Sequence, residues 1–178
     1  MSRLEAKEKE FRDSIRENTR NVHAAYEKCY DYFREHLDLS AYSDSALETY
    51  FREYDASKYG KEEFNAYRRK EFPYYEGEDK EPAVREAYRY AVLHHYQNNP
   101  HHAEHWCYYE ESVGGMMVLR MPDIHIMGMI CDWLAENKLN TEKALKWYKR
   151  NGQKYPMHPD TREKVDEIME GLAAEYGD

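Results

Sequence analysis

The sequence predicts an all-α, single-domain bundle with one small β-hairpin near residues 106–120, on three observations. Apolar residues recur at helical spacing through most of the chain, and strand-like patterning is confined to one short stretch. The 178 residues, 41% hydrophobic and 34% charged, suit one soluble domain with room for a real core. The expected domain is 1–178, with a long N-terminal helix over 1–37 and a C-terminal helix over 160–176.

Leu4 to Leu37 places Phe11, Ile15, Val22, Tyr26, Cys29, Tyr30 and Phe33 on one stripe among charges, the pattern of a long amphipathic helix with His23 beside the stripe. Leu39 to Asp44 reads as a loop, and Ser43 or Asp44 can cap a second helix running through Ala46 to Tyr54. Gly60 is suited to end the segment Tyr54-Asp55-Ala56-Ser57-Lys58-Tyr59 before a helix over Lys61 to Phe72. Asp55 lies where an element stops. There its carboxylate can either cap the next turn or face a cavity.

Pro73 to Pro82 reads as a polar linker. Glu81 to Gln97 is helical, with Ala83, Val84, Ala87, Tyr88, Ala91 and His95 at helical spacing, which puts His95 on the buried stripe. Pro100 blocks continuation but suits the first turn of a new helix capped by Asn99; His101 and His105 would then share a face. Trp106-Cys-Tyr-Tyr and Met116-Met-Val-Leu, separated by a turn containing Gly114-Gly115, form the hairpin signal. Pro122 and Asp123 open a helix apolar nearly all round, with Asp123 the expected cap. Asp132 interrupts that helix, and a buried carboxylate needs a metal, a cation or donors. Thr141 to Arg150, capped by Asn140 or Thr141, and a segment starting at Asp160 or Thr161 complete the helices.

The densest chemical signal is HHYQNNPHHAEH, His94 to His105, which holds five of the nine histidines. Imidazole is the commonest side-chain metal ligand, so this cluster points to a metal site rather than to packing. The candidate ligands are His23, Asp55, some of His94, His95, His101, His102 and His105, and Asp132. Mixed imidazole and carboxylate donors suit a divalent transition metal, Mn, Fe, Zn or Ni. The expected reaction is hydrolysis, with Asp55, Lys58 and His102 as catalytic candidates.

The formal charge of −9 argues against a broad nucleic-acid surface or an anionic membrane surface. Cys29, Cys107 and Cys131 lack the spacing of a zinc knuckle or disulfide framework. No run reaches membrane-spanning length and MSRLEAKEKE is charged rather than apolar, so the expected location is cytoplasmic. The 18 tyrosines allow a third use, an interaction surface.

The order of His23, Asp55, the histidine cluster and Asp132 resembles the HD-domain metal-dependent phosphohydrolases. More closely, YDASKYGKEEFNAY (Tyr54 to Tyr67), HHYQNNPHHAEHW (His94 to Trp106) and MICDWLA (Met129 to Ala135) resemble a small family of uncharacterised bacterial and phage proteins, classed as a domain of unknown function, which usually reads HD-x-SK in the first segment. The resemblance implies an HD-like bundle. It makes His23 the leading histidine, Asp55 the aspartate of the HD pair, His95 with His101 or His102 the later histidines, and Asp132 the final carboxylate. Tyr54 departs from the pattern: a phenol with a pKa of ~10 is a poor ligand, so His94 would fill that position or it would stay vacant. The implied activity is a metal-dependent phosphohydrolase acting on a small phosphorylated molecule such as a nucleotide. A di-iron HD-type oxygenase and a non-catalytic partner- or ligand-binding protein with a decayed site are the alternatives.

Overall fold

The computed structural model describes residues 2–177. Among these residues are eight α-helices and one two-stranded antiparallel hairpin, as the patterning predicts. In chain order they are α1 (Arg3–Lys28), α2 (Tyr30–His36), α3 (Asp44–Arg52), α4 (Phe64–Glu71), α5 (Pro82–Asn98), β1 (Cys107–Glu110), β2 (Gly115–Val118), α6 (Asp123–Glu136), α7 (Thr141–Asn151) and α8 (Pro159–Tyr176). Two compact units emerge: Met1–Thr19 with Glu53–Asn99, and Arg20–Arg52 with Pro100–Asp178. No described helix is long and apolar enough to cross a membrane.

In the first unit, Phe11, Ile15, Phe64, Tyr67 and Ala91 form a buried core, so the first half of α1 meets α4 and α5 through its apolar stripe. Phe11 lies 5.1 Å from Phe64 and 6.4 Å from Tyr67, ring centre to ring centre, within the range of favourable aromatic pairs. The expected polar linker, 73–82, is anchored instead. Its Glu78 is buried and accepts from Arg68 Nη1 at 3.0 Å, Arg69 Nε at 2.7 Å and the Tyr74 backbone N–H at 2.6 Å. A short 3-10 turn, Glu78–Lys80, follows from that anchorage.

The second unit corrects the single helix expected over 1–37. Cys29 leaves the helical region (φ −110°, ψ 15°) and separates α1 from α2, while Phe33 N–H still reaches the Cys29 carbonyl at 3.0 Å. Tyr32 and Phe33 of α2 are buried. Ser43 is the cap of α3, its Oγ accepting from Ala46 N–H at 3.2 Å. Asp123 is not the cap of α6; Pro122 holds that position, and Asp123 accepts the Asp38 N–H at 2.9 Å. Helix α6 is buried nearly all round, as its composition predicts, and Gly128 lets the Tyr50 ring lie against it: any Cβ there would overlap the Tyr50 hydroxyl.

Asn140 caps α7 by accepting from Lys143 N–H at 2.8 Å. Helix α8 begins earlier than expected, at Pro159. The His158 ring accepts from Asp160 N–H at 3.2 Å, and Thr161 Oγ1 accepts from Met121 N–H at 2.9 Å. The hairpin pairs Cys107 with Val118 and Glu110 with Gly115, and Gly114 (φ 67°) supplies the left-handed residue of its turn.

Candidate metal centre

Asp55 sits after α3 in the left-handed region (φ 59°), a conformation that Asp tolerates better than most residues. It precedes the 3-10 turn Ala56–Tyr59, yet its side chain caps nothing there. The carboxylate, 3% exposed, instead takes Lys58 Nζ at 2.8 Å and Asn18 Nδ2 at 3.4 Å on Oδ2, and Oδ1 lies 3.4 Å from Nε2 of His95. Of the two roles open to Asp55 in the sequence, capping is not made, and the carboxylate is buried.

His95 is presented by α5 on the buried side, as its spacing predicts. Behind it lies Glu63, fully buried just before α4, with Oε2 2.9 Å from Nδ1 of His95 and Oε1 2.7 Å from Nδ1 of His94. Burial raises the Glu63 carboxyl, but hydrogen bonds from His95, His94 and Ser57 outweigh it and hold the group below its ordinary value. Asn99 closes the end of α5 by donating Nδ2 to the His95 carbonyl at 2.8 Å and to Ser57 Oγ at 2.7 Å.

Pro100 does not open a helix. Residues 100–102 form a turn, and only a short 3-10 segment, Ala103–Trp106, follows. Trp106 Nε1 donates to the Pro100 carbonyl at 2.8 Å and fixes that turn, so the helical face expected for His101 and His105 does not exist. The tight turn sets the His101 and His102 rings 4.3 Å apart, with His101 buried.

One ligand atom each from Asp55, His95, His101 and His102 lies within 4.8 Å of the others, a group that can hold a metal ion. Three imidazoles with one carboxylate fit a divalent transition metal better than Mg or Ca, which favour all-oxygen sites. His23 and Asp132 are outside this group. His23 Nε2 lies 3.1 Å from Glu48 Oε2, and its ring stacks with Tyr26 and Phe51; Asp132 is half-buried on α6. His94 is held by Glu63, and Tyr54 is buried, its carbonyl accepting from Thr19 Oγ1 at 3.3 Å.

Glu63, Ser57 and Asn99 carry the second layer around His95 and escaped the sequence reading. Glu63 sits in the charged run Lys61-Glu62-Glu63, which looks like a solvated helix start, and only its spacing before Phe64 and Tyr67 hints at burial.

The fold and the site define a helical protein with a buried histidine and aspartate cluster able to bind a metal. Its sequence belongs to a family of unknown function, DUF5662, whose model matches residues 7–171. No curated protein and no solved structure matches the chain.

Proposed function

We propose that this chain is a metal-dependent phosphohydrolase of HD-like type, acting on a small phosphorylated molecule such as a nucleotide. The observation that carries the reading is the convergence of Asp55, His95, His101 and His102. A divalent transition metal bound there would supply Lewis acidity toward a phosphoryl oxygen and lower the pKa of water.

The chain's own residues supply the rest. Asp55 bears charge toward the cation and orients the attacking water through whichever carboxylate oxygen is left uncoordinated. Lys58, now 2.8 Å from Asp55 Oδ2, is a cation at the same carboxylate and is placed to neutralise phosphoryl charge when Asp55 engages the metal. His102, half-buried where the other three are buried, is the ligand with most access to a bound substrate. Net charge of −9 does not oppose an anionic substrate, because the local cation dominates the field at short range.

The test is incubation of purified protein with a nucleotide panel and added Mn or Ni. Phosphate release that disappears in Asp55→Asn supports hydrolysis; bound metal without release from any nucleotide contradicts it. A second reading draws on the Lys58–Asp55 ion pair, which compensates the buried acid without a metal. On that reading the chain is a non-catalytic binding protein, and elemental analysis of protein purified without added ions would find no metal.

A further inference from the structure

The hydrogen bonds around His95 fix which ring nitrogen carries the proton. The Glu63 carboxylate lies within hydrogen-bond distance of the Nδ1 atoms of both His94 and His95, and a carboxylate can only accept. Its Oε2 lies 2.9 Å from Nδ1 of His95, a contact that requires Nδ1–H. Asn99 Nδ2 and Ser57 Oγ are also near that nitrogen, at 3.0 and 3.3 Å, but the amide has closer acceptors in the His95 carbonyl and Ser57 Oγ, and the Ser57 hydroxyl donates to Glu63. Nδ1 therefore donates to Glu63, and in the neutral ring Nε2 is left with its lone pair, on the side where Asp55 Oδ1 lies at 3.4 Å.

The same acid performs the same service for His94, whose Nδ1 lies 2.7 Å from Oε1. A carboxylate offers two acceptors to two Nδ1–H groups. Glutamine offers one acceptor and one donor, so it can satisfy both rings only if one of them shifts its hydrogen to Nε2. The acid, rather than any polar group of that shape, is what both rings require.

We propose that Glu63 is the positioning residue of the metal centre: it holds His95 in the Nδ1–H form and presents Nε2 as the ligand lone pair. This rests on the metal-binding reading given above. Outer carboxylates that orient a ligating histidine in this way are worth roughly 10- to 100-fold in metal affinity.

The test joins two measurements on the full chain. Long-range proton–nitrogen correlation of the metal-free protein reads the His95 tautomer directly, and needs no variant. Calorimetric titration with Co(II) then compares wild type, Glu63→Gln and His94→Gln, with circular dichroism confirming the fold of each. The expected result is Nδ1–H on His95 in wild type, a roughly 10- to 100-fold weaker Co(II) affinity in Glu63→Gln, and near wild-type affinity in His94→Gln, which loses a hydrogen bond to the same acid but no ligand. Nε2–H on His95 in wild type, or a folded Glu63→Gln that binds Co(II) as wild type does, overturns the proposal. A wild type that binds no Co(II) instead overturns the metal reading beneath it, and the tautomer spectrum still decides what Glu63 does to the ring.

Discussion

Nε2 of His95 faces Oδ1 of Asp55 at 3.4 Å, with both side chains almost entirely buried. An acid and an imidazole brought inside a protein cost several kcal/mol in desolvation unless their charges and lone pairs are used. Here Lys58 pairs with Asp55 and Glu63 with His95, and with the ring neutral two carboxylates stand against one ammonium, a net negative charge that a bound cation would offset.

Asp55 combines a left-handed backbone with a buried carboxylate, and the two can be separated by substitution. Asn also tolerates that conformation, whereas Ala is strained there by about 1 kcal/mol or more. Asp55→Asn is expected to keep the fold and lose metal affinity by more than the roughly 100-fold upper range seen for outer partners. Asp55→Ala is expected to lose both affinity and thermal stability. Thermal melts with and without Mn(II) check this: the metal-induced rise in Tm should vanish in both variants, with Asp55→Ala melting lower than Asp55→Asn in the absence of metal.

The ion network at Glu78 gives a stability prediction remote from the metal ligands. Arg68 and Glu78 have side chains only 6% and 4% exposed, and Glu78 also takes Arg69 and the Tyr74 N–H. Glu78→Ala leaves the Arg68 guanidinium buried without its carboxylate, a loss of about 3–5 kcal/mol by the usual cost of breaking a buried pair. Urea unfolding should show an unfolding free energy lower by that amount, through a lowered midpoint with an unchanged slope.

His125 gives a pH prediction. Burial, with a smaller contribution from the nearby His105, lowers its pKa from 6.5 to about 4. The unfolded chain therefore binds a proton that the folded chain refuses between those values. Its contribution to stability is complete above pH 6.5 and is lost as pH falls toward about 4, by roughly 2–3 kcal/mol at one pKa unit per 1.36 kcal/mol. Replacing it with Gln should flatten the stability profile across that window, read as unfolding free energy at several pH values.

Much of this architecture was legible in the sequence because apolar periodicity dictates it. The stripe through Phe11 and Ile15, the all-round apolarity of α6 and the Gly114 turn each follow from local chemistry. His95 was also legible, since its phase in α5 puts it on the buried side. The phase of His101 and His102 was not, because Pro100 suits a helix start and a tight turn equally, and the Trp106 hydrogen bond that selects the turn lies beyond any local rule. Glu63 was illegible for a different reason: its burial is created by His94 and His95, partners remote in sequence. His23 is a candidate ligand in the sequence and the leading histidine by resemblance, and in the structure it meets Glu48 and aromatic rings.

The His101–His102 turn predicts unequal roles for neighbouring histidines. His101→Ala should lose metal affinity, whereas His105→Ala should retain it, since His105 is outside the group that can hold an ion. Parallel Mn(II) titrations followed by electron paramagnetic resonance of the free ion would separate the two.

The most direct measurement is anomalous diffraction from crystals grown with Mn or Zn, collected on both sides of the metal edge. The account predicts one strong peak within about 2.0–2.2 Å of Asp55, His95, His101 and His102 donor atoms. An edge-specific peak coordinated elsewhere, or no peak at these residues in metal-soaked crystals, would contradict it.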